Sequence, residues 1–177
     1  LPDGPEGEHL PDRLATETIE FIRANKDQPF FAYLSFYSVH VPLMSRKDLE
    51  AKYNEKRRRE ALQTRWGQEG DTRVRLTQDH PVYAGMVEAM DQAVGKVLDA
   101  LDEMNLSENT VIAFTSDNGG FSMGGKDRPA SNVPLRAGKG WLYEGGIREP
   151  FIIAGPGIAQ PGSVCGVPVT STDFYPT

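Results

Sequence analysis

Four side chains mark points where polar chemistry interrupts apolar sequence. Asp117 and Asn118 close the run TVIAFTSDNGG (Thr110–Gly120), His40 closes PFFAYLSFYSVHVP, and Lys139 lies between two glycines in LRAGKGWLYEGG. An adjacent Asp and Asn offer two hard oxygen donors of the kind that hold Mg²⁺ or Ca²⁺. An imidazole can donate a hydrogen bond to an anionic substrate oxygen or to a leaving group. Flanking glycines let the backbone come close to a ligand and leave the Lys139 ammonium unobstructed. Each residue also has a plainer reading. Asp, Asn and Gly are ordinary turn residues, a lone His after a strand is commonly structural, and a Lys between glycines is commonly a surface residue in a flexible turn. On the eleven residues Thr110–Gly120 alone, the turn is the stronger reading.

The elements that would position these residues tip the balance toward a shared site. Thr110 to Phe114 is a short apolar, β-rich run of the kind buried on both faces of a parallel sheet. Phe30 to Phe36 is denser still in aromatics and reads as a central strand. In open α/β sheets, ligands bind beyond the carboxyl ends of strands. His40, Asp117 and Asn118 would therefore meet at one edge. Between the two strands, Pro81 to Met104 is the strongest helix: Tyr83, Met86/Val87, Met90, Val94, Val97/Leu98 and Leu101 recur at three- and four-residue spacing, with Pro81 suited to the first turn. Its stripe is expected to pack on the sheet, making half of a βαβ unit. Arg13 to Lys26 reads as a helix with Thr16 and Thr18 as caps, and Asp48 to Leu62 as another. Trp66 to Asp71 reads as loop, Phe121 to Pro134 as a long irregular loop beside the site, and Phe151 to Ala154 as a strand. Arg148, beside Glu144 and Glu149, reads as part of a structural ion pair.

Composition narrows the function classes. The chain has 177 residues, 38% hydrophobic and 25% charged, with a formal net charge of −6. That describes an ordinary globular domain and argues against nucleic acid as the main partner. No apolar run approaches membrane-spanning length, and the polar N-terminus has no signal-peptide core. Residues 46–79 differ from the rest: they hold ten of the 19 basic residues against seven acidic ones, so the segment is net +3 and the remainder net −9. A basic surface insertion is the simpler reading, and a rim that attracts a polyanionic substrate the functional one. The single cysteine, Cys165, has no neighbouring His or basic residue to activate it. Both ends read as cut, since residues 171–177 (STDFYPT) look like a capped helix start.

Five stretches together resemble the sulfatase family of the alkaline-phosphatase-like superfamily: FFAYLSFYSVHVP, YAGMVEAMDQAVGKVLDAL, TSDNGG, LRAGKGWLYEGGIREP and TDFYPT. The style is similar to bacterial exo-acting or polysaccharide-directed sulfatases of the arylsulfatase A type. The resemblance implies a mostly parallel central sheet flanked by helices, incomplete at both ends, with residues 1–177 forming part of the catalytic domain. It implies that Asp117 and Asn118 ligate one divalent cation, Ca²⁺ by preference with Mg²⁺ as the alternative. It also implies that Lys139 contacts the sulfate ester and its bridging oxygen, and that His40 stands on the sulfate or leaving-group side. The substrate would be a sulfated small molecule or glycan, and a periplasmic or secreted location is favoured.

The chain departs from the family pattern at its start. The formylglycine nucleophile comes from a Cys or Ser followed by any residue, Pro, Ser or Ala, any residue, and Arg. Cys165 is followed by Gly166, Val167 and Pro168, and neither Ser122 nor Ser131 fits. An early Asp-Asp pair and a second Lys/His pair are absent as well. The expectation is a sulfuric ester hydrolase whose nucleophile lies outside these residues, with half an active site here and no turnover by residues 1–177 alone. The alternatives are a phosphate or phosphonate ester hydrolase of the same superfamily, a non-catalytic anion- or glycan-binding module using residues 46–79, and a fragment that keeps the fold without function.

Overall fold

Three helices form one body of the structure, a computed structural model that describes residues 4–125, 127–158 and 160–176. Helix α1 spans Leu10–Asn25, α2 Lys47–Arg59 and α3 Pro81–Glu103, and both α1 and α2 pack on α3. Pro81 opens α3, where its missing N–H costs nothing, and His80 Nδ1 caps the helix by accepting from the Tyr83 N–H at 3.3 Å. The buried face of α3 is narrower and smaller-grained than its apolar stripe. Gly85, Met86, Ala89, Ala93, Ala100 and Leu101 are buried, whereas Val87 and Leu98 are exposed. Small residues let the helices approach closely: a Cβ on Gly85 would lie 3.2 Å from Leu49 Cβ and 2.2 Å from Ser45 Oγ. The stripe therefore packs on helices, where a sheet was expected. Thr16 and Thr18 lie inside α1, their hydroxyls donating back to the Asp12 and Leu14 carbonyls, so neither is a cap.

The strands differ more from expectation. Trp66–Glu69 (β1) and Thr72–Arg75 (β2) form an antiparallel hairpin, with Gly70 at φ +55° in its two-residue turn. This replaces the loop expected over Trp66 to Asp71. Ile112–Thr115 (β3) pairs antiparallel with Phe151–Ala154 (β4), with Ile112 opposite Ala154 and Thr115 opposite Phe151. Among the described residues there are two two-stranded antiparallel sheets and no parallel pairing. Strand β3 alternates between half-buried and exposed and is not covered on both faces. Residues 30–36 form no ladder, since among the described residues no strand pairs with their backbone, and Phe31 and Tyr33 are 84% and 83% exposed. Helix α4 is a single turn, Glu144–Ile147, before β4. At the far end, Thr170 and Asp173 form a capping box over the 3₁₀ turn Ser171–Asp173, in keeping with the helix start expected there.

The basic segment is an internal scaffold as much as a surface. Arg75 and Asp79 are 5% and 4% exposed, and the Arg75 guanidinium donates to Asp79 Oδ1 (Nε at 3.0 Å). Arg57 adds a second cation to Asp79 at 3.2 Å, and the Thr64 hydroxyl donates to it. Arg73 lies 4.4 Å over the Trp66 ring. Lys52 pairs with Glu88, Arg58 with Glu55, Arg59 with Glu60, and Arg46 with Asp12 and Asp48. Strand β2 then carries the site loop. The Arg75 N–H donates to Ser122 O (2.9 Å), Gly124 N–H to Arg73 O (3.0 Å), and Val74 bridges Met123. From the side chains, Arg75 Nη1 donates to Arg128 O (2.9 Å) and Gln78 Nε2 to Ser131 O (2.7 Å).

Two consequences are measurable. Burial pushes the Asp79 carboxyl up, but Thr64, Arg75 and Arg57 outweigh it and hold it below the usual carboxylate range. Its stabilisation is therefore complete above about pH 4 and lost as pH falls through the lowered folded value. Asp79→Asn, which strands Arg75 in the interior, is expected to cost about 3–5 kcal/mol in urea or thermal unfolding. Burial, then the Arg75 charge, lowers His80 and keeps it neutral. An unfolded His takes up its proton below about pH 6.5, so stability falls as pH drops through that value. His80→Asn keeps a capping acceptor and is expected to flatten the melting temperature between about pH 5 and 7.

Candidate active site

Strand β3 ends at Thr115 and releases Ser116, Asp117 and Asn118 into an exposed turn, as its polar end dictates. Asp117 is exposed and Asn118 half-buried. The Asn118 side-chain amide donates to Asp117 Oδ2, which links the two side chains. The next two residues explain why the turn stays put. A Cβ on Gly119 would fall 1.7 Å from the Gly145 carbonyl oxygen and 2.8 Å from Gly146 Cα. One on Gly138 would fall 2.4 Å from Gly120 O, and one on Gly145 would fall 2.4 Å from Arg136 O. Three backbone segments thus lie directly on one another: the turn after β3, the Gly138–Gly140 loop, and α4. No residue with a side chain fits at these crossings.

The same crossing brings Lys139 to the turn. Its N–H donates to Gly120 O at 3.2 Å, and the Gly145 N–H donates to Arg136 O at 2.8 Å. Lys139 is half-buried, and among the described residues its ammonium has no ion-pair or hydrogen-bond partner. Just after it, Trp141 and Tyr143 stack at 6.2 Å with their planes 11° apart, and Arg136 covers the Tyr143 ring at 3.8 Å. The Arg136 guanidinium is itself held by Glu69 of the hairpin, Nε to Oε2 at 2.8 Å.

Glu149 belongs to this edge and was not singled out as a site residue by the sequence. The antiparallel ladder ends at the pair Thr115 and Phe151, just before Asp117 and just after Glu149 in the chain, and the Asp117 charge acts on the Glu149 carboxyl. Burial raises the Glu149 carboxyl, the Asp117 charge raises it further, and a Ser116 contact opposes both. Its Oε1 is buried without a hydrogen-bond partner. The ion pair expected around Arg148 forms with Glu144 at 3.4 Å and leaves Glu149 out. Strand pairing between β3 and β4 was the missing signal, since nothing local marks position 149.

His40 stands apart. It is exposed, and its contacts are local: its N–H donates to Tyr37 O (3.0 Å), its ring meets the Tyr37 ring edge-on at 5.4 Å, and Nδ1 lies 2.8 Å from Val41 O. A carbonyl oxygen only accepts, so Nδ1 carries the proton at this contact. No contact among the described residues joins His40 to Asp117, Asn118 or Lys139. A cavity of about 260 Å³ between the hairpin and residues 132–137 contains none of the four, so the candidate site is an open edge. Cys165 is exposed and unpaired.

The oxygen donors suit a hard divalent cation. Asp117 offers a carboxylate and Asn118 an amide oxygen, and the Asp117 charge together with the nearby Glu149 carboxyl makes a negative field that a cation would relieve. Two such donors would fill only part of a coordination sphere, and among the described residues no group of three or more His, Cys, Asp or Glu is arranged to hold a metal.

Comparison with known proteins identifies the family. A sulfatase from Formosa agariphila is 42% identical over 96% of this chain, which covers 29% of that protein. Human steryl-sulfatase is 34% identical over 96% of the chain, which spans 26% of its length. Among solved structures, that of Ps i-CgsB in complex with k-i-k-neocarrahexaose superposes with a TM-score of 0.75 at 34% identity, over 98% of this chain and 34% of the other. The chain thus spans about a third or less of the proteins it matches. The sulfatase family profile matches residues 2–177, and the chain belongs to the sulfatase family.

Proposed function

We propose that the full-length protein hydrolyses a sulfate monoester and that this chain supplies one half of the active site. The observation that supports the reading is the seating of the Asp117–Asn118 turn on the Gly138–Lys139–Gly140 loop, which brings the backbone that carries the oxygen donors against the backbone that carries the lysine. Cleaving a sulfate ester builds negative charge on the nonbridging and leaving oxygens, and a fixed ammonium there stabilises it without reorganising. Asp117 and Asn118 would hold a divalent cation, Ca²⁺ by preference and Mg²⁺ otherwise, which would supply Lewis-acid stabilisation of the sulfate charge. Lys139, unpaired in the free protein, donates hydrogen bonds to the ester and its bridging oxygen. His40, with Nδ1 engaged by Val41 O, is assigned to the leaving-group side, where a protonated Nε2 would donate to the departing oxygen. The nucleophile, a formylglycine, is supplied from outside these residues.

The substrate class follows from the relatives only coarsely. One solved relative was crystallised with a carrageenan-type oligosaccharide and another relative carries a sterol-sulfate name, so a sulfated glycan or a sulfated small molecule is proposed. Anion binding by residues 46–79 finds less support, because most of their cations are already paired within the chain.

In the full-length protein, Asp117→Ala and Lys139→Ala are each expected to lower kcat/KM on an aryl sulfate about a hundredfold or more. Removing divalent cations with a chelator should abolish turnover, and Ca²⁺ should restore it. A folded Asp117→Ala variant that keeps near-normal turnover would refute the metal assignment.

A further inference from the structure

Ala137, two residues before Lys139, is 6% exposed and adopts φ +63°. This left-handed conformation costs a residue with a Cβ roughly 1–2 kcal/mol and persists only where the surroundings over-determine it. Here the surroundings are two side chains on its carbonyl. Ser122, fully buried, donates from Oγ to Ala137 O at 3.0 Å, and Asn132 Nδ2 donates to the same oxygen at 2.9 Å.

Asn132 also holds the other partner of the site. Its Oδ1 accepts from the Gly120 N–H at 3.1 Å, and its Nδ2 donates to Gly120 O at 2.9 Å and reaches Ser122 Oγ at 3.3 Å. The orientation of the amide follows from its partners: reversed, it would aim an acceptor at two carbonyl oxygens and a donor at an N–H. One side-chain amide therefore ties Gly120, which ends the Asp117–Asn118 turn, to Ala137, which begins the Lys139 loop. Gly120 O also receives the Lys139 N–H directly, so the three groups share one small hydrogen-bond ring.

We infer that Asn132 is a positioning residue for sulfate-ester hydrolysis, holding the Asp117–Asn118 turn and Lys139 at a fixed separation through its bonds to Gly120 and Ala137. The inference rests on the function proposed above. Among the described residues Asn132 makes no hydrogen bond to the Asp117 or Lys139 side chain, and it acts through the backbone of Gly120 and Ala137. Ground-state binding tolerates a small displacement of the ammonium from the metal turn, whereas the transition state does not, and a shift of about 1 Å can cost a hundredfold in rate. Loss of Asn132 should accordingly appear in kcat and only weakly in KM.

The test uses the full-length protein, with kcat and KM on an aryl sulfate and a melting temperature for each variant. Asn132→Asp has the same shape and keeps the acceptor for Gly120 N–H, but turns a carboxylate oxygen toward the Gly120 and Ala137 carbonyls. It is expected to lower kcat about 30- to 100-fold with KM changed less than about threefold. Ser122→Ala removes one of the two bonds to Ala137 O and should give a smaller fall in kcat of the same kind. Asn132→Ser, which can serve only one partner at a time, stands in should Asn132→Asp not fold, with a loss of kcat again expected. A kcat per folded molecule equal to wild type in these variants, with only a lowered melting temperature, overturns the inference. Turnover removed by Asp117→Ala but untouched by Asn132→Asp overturns it alone. A wild-type protein without sulfatase activity overturns the proposed function, and this inference with it.

Discussion

The structure around the candidate site depends on backbone lying against backbone without intervening side chains. Gly119 rests on Gly145 and Gly146, and Gly138 on Gly120, at separations that any Cβ would violate by more than 0.5 Å of ordinary contact. This contact sets everything polar at that edge. It fixes where the Asp117–Asn118 turn ends, it brings the Lys139 loop beside it, and it seats α4 so that β4 can begin at Phe151. A site assembled from loops is ordinarily loose. Here looseness is opposed by the absence of adjustable side chains at the crossing and by the Asn132 and Ser122 bonds that hold Ala137 in its left-handed conformation.

Charge is used inside the chain before it is offered outside. The buried Arg75–Asp79 pair, flanked by Arg57 and Thr64, joins α2, the hairpin and the start of α3. A buried pair of this kind adds little net stability relative to apolar packing, but it is costly to break on one side only, and so it specifies an arrangement. Arg75 then passes that arrangement on, through its N–H to Ser122 O and its guanidinium to Arg128 O. The residues that carry the excess positive charge are thus the support for the loop that holds Asn132. Composition alone marks the same stretch as an insertion, because it cannot say which cations have partners.

How much could be read from the chain varies with the range of the interaction. Helix α3 was legible because its repeat and Pro81 lie within the helix itself, and its observed span, Pro81–Glu103, ends one residue short of the expected one. Its packing partner was not legible, since Ala89 and Ala93 look as neutral in sequence as residues that face water. The hairpin at residues 66–75 was missed although Gly70-Asp71 between two polar β-rich runs is a turn signal, because neither run alternates cleanly between apolar and polar. Phe30 to Phe36 was read as a strand from its aromatic content, but a strand is a pairing property, and no partner lies beside it among the described residues.

The sequence by itself determined the chemistry on hand: a carboxylate and an amide at a strand end, a lysine between glycines, a histidine after an aromatic run, and the family to which these belong. Each of those is a property of residue type and short spacing, which local sterics and turn chemistry read directly. Only the tertiary structure decided that the strands pair antiparallel, that the Asp117 charge acts on Glu149, and that one asparagine joins Gly120 to Ala137. These contacts link residues between five and more than thirty positions apart through ladder register and side-chain bonds to backbone carbonyls. No local pattern encodes such pairings, because each depends on where the rest of the chain has already been placed.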